Sequence, residues 1–219
     1  MKGKRIGIFS IHPEAMRVAE EAFRQNWPEA ELHHVLDDRL FHWIRSVGVV
    51  QPGMSEILKH HARYLVDSGA DALLFTCSAF HECLGAFDGD LRVPVLGPNG
   101  AMIEEALKLG PRLALLATVP ATLCSLAQEI RQSAPEGGSH ATLHSYYVPD
   151  ALGRLDAGDV REHNRLVIKA ARHIEDVDAI LLGQFTLAPV LRELQACLKL
   201  PTLSAPDAAV AKLRRMFDR

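Results

Sequence analysis

Two segments of this chain are nearly the same, and they lie 107 residues apart. The stretch DALLFTCSAF occupies residues 71–80, and DAILLGQFTL occupies residues 178–187. The same offset pairs Arg5 with Arg112, and it pairs several prolines of the first half with prolines of the second. A constant offset across strands, turns and helices predicts two halves of the same architecture. We interpret it as an internal duplication; the alternative is a repeated architecture without common origin.

Length and composition limit the class of protein. The chain has 219 residues, enough for one large domain or two compact lobes of roughly 100 residues each. Its formal net charge of −3 gives no electrostatic reason to expect nucleic acid or an anionic membrane as a partner. No apolar run approaches the roughly 20 residues of a membrane span, and the N-terminus lacks the pattern of a signal peptide. We therefore expect a cytoplasmic protein with reduced cysteines.

Apolar runs alternate with segments of helical period along the whole chain, which predicts an α/β fold with parallel sheets flanked by helices. The expected strands cover residues 5–10, 32–36, 72–76 and 93–96, and then 112–118, 141–148, 179–183 and 201–203. The expected helices cover residues 14–25, 55–68, 101–109, 121–132, 160–174 and 207–217.

Small hydroxyl residues follow four of these strands, where ligands bind in open parallel sheets. They are Ser10, Ser78, Thr118, Thr122 and Thr186. Hydroxyls and the free N–H groups of helix starts bind anions well, so these turns indicate a site for a small carboxylate. The alternative is that they serve only as helix caps, a common role of Ser and Thr.

Cys77 is the strongest candidate for a catalytic residue. It stands between a strand end and a helix start, where the helix dipole can lower the pKa of a thiol and raise its reactivity. The alternative is a buried, inert cysteine. The other three cysteines, Cys83, Cys124 and Cys197, fall in segments of helical period, and we expect them to be packing residues.

The sequence gives little support for a metal or a nucleotide cofactor. Its histidines include adjacent pairs, which do not share one face of a helix or strand, and no HExxH or CxxC motif occurs. A glycine-rich phosphate loop is also absent from the sequence. His81 lies four residues after Cys77 and, on a helix, can lean back toward that turn; the alternative is a surface histidine.

Three motifs resemble those of one family. The segment CSAFH, residues 77–81, is similar to a Cys-Asn-Thr-Ala-His turn, and GQF, residues 183–185, to a Gly-Cys-Thr turn. The stretch LALLATVPATL, residues 113–123, is similar to a strand followed by a carboxylate-binding Thr-x-x-x-Thr turn. The chain thus resembles the aspartate/glutamate/hydantoin racemase superfamily, which includes maleate isomerase and arylmalonate decarboxylase, along nearly its whole length.

The resemblance implies a fold of two pseudo-symmetric lobes with an active-site cleft between them. By this reading the N-terminal lobe is 1–97 plus 206–219, and the C-terminal lobe is 98–205. We expect the segment 37–53 to be a loop on which side-chain specificity depends. The resemblance also implies an enzyme without a cofactor that acts on a small carboxylate as a homodimer or higher homo-oligomer. In the family's racemases one cysteine thiolate removes the Cα proton, and a second cysteine protonates the opposite face.

Gln184 departs from this pattern because it stands where the second cysteine is expected. An amide forms hydrogen bonds, but it neither takes nor delivers a proton at neutral pH. We therefore expect Cys77 to act alone, as acid/base or nucleophile, in an isomerase or a lyase, with Gln184 bonded to the substrate. The expected substrate-binding residues are Ser10, Ser78, Thr118, Thr122, Thr186 and His81.

Two other readings stay open. A binding protein could have kept the carboxylate site and lost catalysis, in which case it binds saturably without turnover. A flavodoxin-like or periplasmic-type ligand-binding fold predicts that replacing Cys77 with Ala changes nothing. An assay of turnover separates the first reading from an enzyme, and the Cys77 variant separates the second.

Overall fold

The computed structural model describes residues 3–47, 50–84, 87, 91–133 and 141–218, and it confirms the expected α/β fold. The chain divides into two compact units, one of Met1–Pro98 with Ala209–Arg219 and one of Asn99–Ala208. Each unit contains one four-stranded sheet of parallel strands, flanked by helices. No helix in the described part of the chain is long and apolar enough to cross a membrane.

The first unit has the strand order β2-β1-β3-β4. The strands are β1 (Arg5–Ser10), β2 (Glu31–Leu36), β3 (Ala72–Phe75) and β4 (Val95–Leu96). The helices are α1 (Pro13–Asn26), α2 (Asp38–Val47), α3 (Pro52–Asp67) and the short α4 (His81–Leu84). Because β1 and β3 are covered on both faces, their residues form a nearly continuous apolar run, as central parallel strands require.

The second unit repeats this order as β6-β5-β7-β8. The strands are β5 (Arg112–Ala117), β6 (Thr142–Tyr147), β7 (Ala179–Leu182) and β8 (Thr202–Ser204). The helices are α5 (Gly100–Leu109), α6 (Pro120–Ser133), α7 (Ala151–Asp156), α8 (Val160–Ala171), α9 (Leu191–Cys197) and α10 (Ala205–Phe217), whose end belongs to the first unit.

The offset of 107 residues holds for the pairing of the strands. Ile6 of β1 lies opposite Ala72 of β3, and Leu113 of β5 lies opposite Ala179 of β7. Both members of the first pair are shifted by the same 107 residues in the second. The two sheets therefore share strand order and register, as the repeated segments predict, while a common origin of the halves stays an interpretation.

The aspartate that opens each repeated segment fixes this register. A carboxylate oxygen of Asp71 accepts a hydrogen bond of 2.8 Å from the backbone N–H of Arg5. In the second unit Asp178 accepts the same bond, at 2.9 Å, from the backbone N–H of Arg112. In each unit an aspartate carboxylate accepts from the first backbone N–H of the central strand. The bond ties that strand to a neighbouring strand 66 residues further along the sequence.

Several helices of the structure are missing from the sequence prediction. The segment 37–53 was expected to be a loop, but α2 occupies most of its described residues. Leu40, Phe41 and Ile44 follow one face of a helix, and Leu40 is buried in the core of the first unit. The short α7 was also not predicted from the sequence, since its six residues carry too little apolar periodicity to show a helix.

The last helix completes the first unit through its final turn. The ring of Phe217 lies 6.0 Å from that of Trp27, and the ammonium group of Lys4 lies 4.9 Å from the Phe217 ring. Arg214 donates a hydrogen bond of 2.9 Å to the backbone carbonyl of Asn26. Residues from the two ends of the described chain are thus packed against each other in one unit.

Candidate active site

The carboxyl edge of the first sheet carries the cysteine and a pair of hydroxyls. Ser10 is the last residue of β1 and is fully buried, and Thr76 and Cys77 directly follow β3. The Thr76 hydroxyl donates to the Ser10 hydroxyl at 3.0 Å, and the Thr76 N–H donates to the Phe9 carbonyl at 3.1 Å. These bonds hold the chain that leads into Cys77 against the end of the neighbouring strand.

Cys77 caps the start of a 3-10 turn, Ser78–Phe80, which continues into α4. The residue is half-buried, and burial raises the pKa of its thiol to about 11, while the backbone N–H groups of Ala79 and Phe80 act in the opposite direction. The sequence prediction of a lowered pKa is therefore wrong. A turn of three residues has few aligned peptide dipoles, so desolvation outweighs its field.

The other cysteines are not all packing residues. Cys83 is half-buried, with its sulfur 3.2 Å from the Ser55 hydroxyl oxygen. Cys124 and Cys197 are exposed, which contradicts the sequence prediction for both. Cys124 lies two residues from the buried Leu126 on α6, a spacing that puts it on the other side of the helix.

Gln184 occupies the corresponding position in the second unit, where it caps a 3-10 helix, Phe185–Val190. Its side-chain oxygen accepts hydrogen bonds from the backbone N–H of Thr118 at 2.7 Å and from the Thr118 hydroxyl at 3.0 Å. Because a backbone N–H can only donate, the amide oxygen must face Thr118. The NH₂ group of Gln184 is then the end that remains to donate to a ligand.

This contact changes the expected role of Thr118. Sequence analysis predicts it as a direct donor to a substrate carboxylate, but its N–H and its hydroxyl both donate to Gln184. Thr118 is buried and Gln184 is half-buried, so the contact lies at the boundary between the core and solvent. In this structure Thr118 fixes the orientation of Gln184. The group that remains to donate a hydrogen bond to a ligand is the NH₂ of Gln184, not the hydroxyl of Thr118.

The remaining predicted residues occupy the turns in which the sequence places them. Thr186 is buried, and its hydroxyl has no hydrogen-bond partner among the described residues. Buried hydroxyls without a partner are rare in native proteins, so this group is a candidate ligand contact. Thr122 is buried in the first turns of α6, while Ser78 and His81 are half-buried at the starts of the 3-10 turn and of α4.

Sequence reasoning missed a carboxylate–histidine pair at the edge of the first sheet. Asp37 directly follows β2, and its Oδ2 lies 3.1 Å from Nε2 of His61 on α3. The ring of His61 stacks on Phe9 with centroids 5.2 Å apart. Two signals were present in the sequence: Asp37 follows a predicted strand, and His61 lies at helical spacing from the buried Leu58.

The first unit supplies a thiol, buried hydroxyls and a carboxylate–histidine pair, and the second supplies an oriented amide donor and buried hydroxyls. Such groups can bind a carboxylate and transfer a proton. Among the residues that the structure describes, no three His, Cys, Asp or Glu side chains come together as a metal site.

Comparisons with known proteins agree with this fold. The chain is 32% identical over 129 residues to a glutamate racemase of Trichodesmium erythraeum (strain IMS101), a match that covers 57% of this chain and 44% of the relative. A glutamate racemase from Bacillus anthracis shares the fold, with a TM-score of 0.74, 20% identity and coverage of 100% of this chain and 83% of that one. An allantoin racemase from Klebsiella pneumoniae does so with a TM-score of 0.69, 19% identity and coverage of 99% and 88%.

The match to a family description extends further along the chain than the sequence match to the Trichodesmium erythraeum relative. Residues 49–213 match the sequence model of "Asp/Glu/Hydantoin racemase". The matched region includes the turn of Cys77, the turn of Thr118 and the turn of Gln184, and it takes in strands of both units. The chain belongs to the Asp/Glu/hydantoin racemase family.

Proposed function

We propose that this protein is a cofactor-independent enzyme that transfers a proton to a small carboxylate substrate from Cys77. The observation that carries the proposal is the unequal pair of turns: a thiol caps one, and an amide whose oxygen is already engaged caps the other. Family membership supports an isomerase-type chemistry on a carbon acid. The substrate class rests on the hydroxyl and amide donors at the strand ends.

Cys77 is assigned the role of proton donor. With a pKa of about 11, its sulfur carries a proton at neutral pH, so it begins as an acid and not as a thiolate nucleophile. A carbanion or enediolate formed next to a carboxylate is basic enough to take that proton. The thiolate that remains then regains a proton from solvent before the next turnover.

Gln184 is assigned the role of a neutral donor to the substrate. Its amide NH₂ can bind a carboxylate or stabilise the negative charge of an enediolate, because Thr118 holds its oxygen away. The unpartnered hydroxyl of Thr186 is assigned to the same anion. Donors that are already oriented before the reaction stabilise the developing negative charge without having to move. Because an amide does not ionise at neutral pH, Gln184 stabilises the enediolate without protonating it.

The reaction proposed is decarboxylation or isomerisation, not inversion by two thiols. In a decarboxylation the bond to the lost carboxylate breaks, its electron pair forms an enediolate as CO₂ leaves, and Cys77 delivers a proton to that carbon. In an isomerisation a base removes a proton from one carbon of the substrate, the electron pair of that C–H bond forms an enediolate, and the same thiol protonates another carbon conjugated with it. Loss of an acid–base group commonly costs about 10²–10⁴-fold in rate, so two-base racemisation is disfavoured by Gln184.

A protein that binds a carboxylate without turnover is the second candidate. The fixed orientation of the Gln184 amide favours this second candidate, because a fixed amide donor binds an anion whether or not a reaction follows. Saturable binding of a small carboxylate with no product, unchanged in Cys77→Ala, would support binding alone.

The experiment is an assay of small carboxylates in D₂O, namely aspartate, glutamate, maleate and substituted malonates, followed by product formation, deuterium incorporation and optical purity. We expect wild-type turnover with deuterium in one stereochemical position, its loss in Cys77→Ala, and no change in Cys124→Ala, an exposed control. Gln184→Cys restores a second thiol and is expected to add racemisation. Rapid racemisation by the wild type would contradict the one-thiol proposal.

A further inference from the structure

We propose that His61, oriented by Asp37, is a second proton-transferring residue at the carboxyl edge of the first sheet. The inference deepens the proposed function and rests on it, since it assigns a proton acceptor to the site in which Cys77 is the donor. It is carried by the contact between the two side chains and by their place relative to the strand ends.

The position of Asp37 follows from the sheet. Leu36, the last residue of β2, lies opposite Ser10 of β1, and the N–H of Asp37 donates to the Ser10 carbonyl at 3.0 Å. Cys77 follows β3, on the other side of β1. Neighbouring strands are about 4.8 Å apart, so the backbones of Asp37 and Cys77 are separated by roughly 10 Å. A small carboxylate can span that distance.

The side chain of His61 reaches over the strand between them. Its ring stacks on Phe9 of β1 at 5.2 Å, and Phe9 in turn lies 5.4 Å from Phe75, two residues before Cys77. Its Nε2 contacts Asp37, and within the described residues no other hydrogen bond to His61 occurs. The other ring nitrogen, Nδ1, is the atom to which we assign the exchange of a proton with a substrate.

The Asp37 carboxylate gives this imidazole the properties of an acid–base group. A carboxylate contact fixes the tautomer and orientation of an imidazole, and so decides which ring nitrogen faces a ligand. Both side chains of the pair are about one-fifth exposed, so solvent can return the proton after each turnover.

The neighbouring histidines are less suited to this role. Nδ1 of His12 accepts a hydrogen bond from the N–H of Glu14 and caps α1, so a proton on that nitrogen breaks the cap. Burial lowers the pKa of His34, which favours its neutral form. His60 is exposed and lies next to His61 on α3, which makes it a matched control.

The pair supplies the step that Gln184 cannot. Nδ1 of His61 accepts a proton from a C–H bond of the substrate, whose electron pair becomes an enediolate conjugated with a second carbon. The Cys77 thiol then donates its proton to that second carbon, so the product is an isomer formed without inversion of the first carbon. The imidazolium and the thiolate that remain are neutralised by proton exchange with water, so the cycle needs no oxidant, reductant or other reactant.

The test compares His61→Ala with His60→Ala and Asp37→Asn, each with and without added imidazole, on the substrate that the wild type converts. We expect kcat of His61→Ala to fall about 10²-fold or more with little change in KM, and imidazole to restore part of it. We expect His60→Ala to match the wild type, and Asp37→Asn to lower kcat without rescue. Thermal unfolding of each variant shows whether it is folded.

Wild-type kcat in His61→Ala would overturn the assignment, and so would a loss of kcat that imidazole does not restore in a folded variant. Turnover that requires Cys77 but not His61 contradicts this inference alone and leaves the proposed function standing. A wild-type protein without turnover contradicts the proposed function, and the role of His61 with it.

Discussion

At the scale of single residues, two corresponding positions differ in whether their side chains can transfer a proton. Cys77 and Gln184 each cap a 3-10 helix after an equivalent strand. The thiol can give up a proton, whereas the amide can only orient a neighbour or be oriented by one. Burial keeps the thiol protonated, and Thr118 fixes the amide, so these two turns differ from a pair of thiol-bearing turns in electrostatics as well as in composition.

The first prediction concerns the order in which cysteines react. Because the pKa of Cys77 is raised to about 11 and only the thiolate is alkylated, iodoacetamide at pH 7.5 is expected to label the exposed Cys124 and Cys197 before Cys77. The thiolate fraction of Cys77 grows about tenfold per pH unit below that pKa, so its labelling should rise steeply toward pH 10. Mass spectrometry of the labelled peptides measures both.

The control for that experiment is Cys77→Ser, in which the other cysteines should be labelled at unchanged rates. If Cys77 is labelled first at pH 7.5, its thiol is ionised near neutrality. The role of proton donor would then give way to that of nucleophile.

The sequence predicts those features of the site that depend on neighbouring residues, but not those that depend on contacts between distant parts of the chain. The turn that holds Cys77 could be predicted because strand ends and hydroxyl-rich turns are local patterns. The direction of its pKa shift could not, since desolvation depends on atoms far along the chain. The contact of His61 with Asp37 joins residues 24 apart, and no local pattern shows that they meet.

At the scale of elements, buried strands are the most predictable feature and short amphipathic helices the least. The central strands β1 and β3 were predicted to within a residue because both faces are buried and most of their residues are apolar. By contrast α2 has one fully buried side chain, Leu40, so packing against the core and not periodicity determines it.

The second prediction tests the packing of β1. A methyl group added at Gly7 would lie 2.7 Å from Cδ2 of Leu73 and 3.1 Å from Cβ of Leu65, which leaves no room for it. We expect Gly7→Ala to lower the free energy of unfolding by about 1–3 kcal/mol, the usual cost of overpacking a core. Urea unfolding measures the change.

The matched control is Gly153→Ala in α7, where an added methyl group meets no atom within 4 Å. Alanine favours a helix over glycine by about 0.8–1.0 kcal/mol, so this variant should be as stable as the wild type or more stable. Equal effects of the two substitutions would show that the space around β1 is not the cause.

At the scale of the whole molecule, the first unit is built from two separate stretches of chain and the second from one. The aromatic contact of Phe217 with Trp27 and the cation of Lys4 over the Phe217 ring join the last helix to the first residues described. The repeated segments predicted two similar halves, but which half includes the last residues depends on how α10 packs.

The third prediction follows from that contact. Phe217→Ala removes an aromatic pair worth about 0.5–1.5 kcal/mol beyond its buried area, so the first unit should open more readily. Hydrogen–deuterium exchange is expected to become faster in α1 and β1 and to stay unchanged in β5 and β7. Met216→Ala, an exposed neighbour, should change neither. Uniform acceleration through both units would contradict a local role for Phe217.

The split of the first unit has a consequence for how the protein is made. A ribosome translates Asn99–Ala208 without interruption, and all residues of that unit exist before the last stretch of the other has been synthesised. The unit that contains Cys77 is begun first and completed last, because Phe217 must emerge before it can contact Trp27. During synthesis Trp27 and the neighbouring surface that receives Phe217 therefore stay uncovered until Asn99–Ala208 has been translated, and that is the interval in which a chaperone or another nascent chain can reach them.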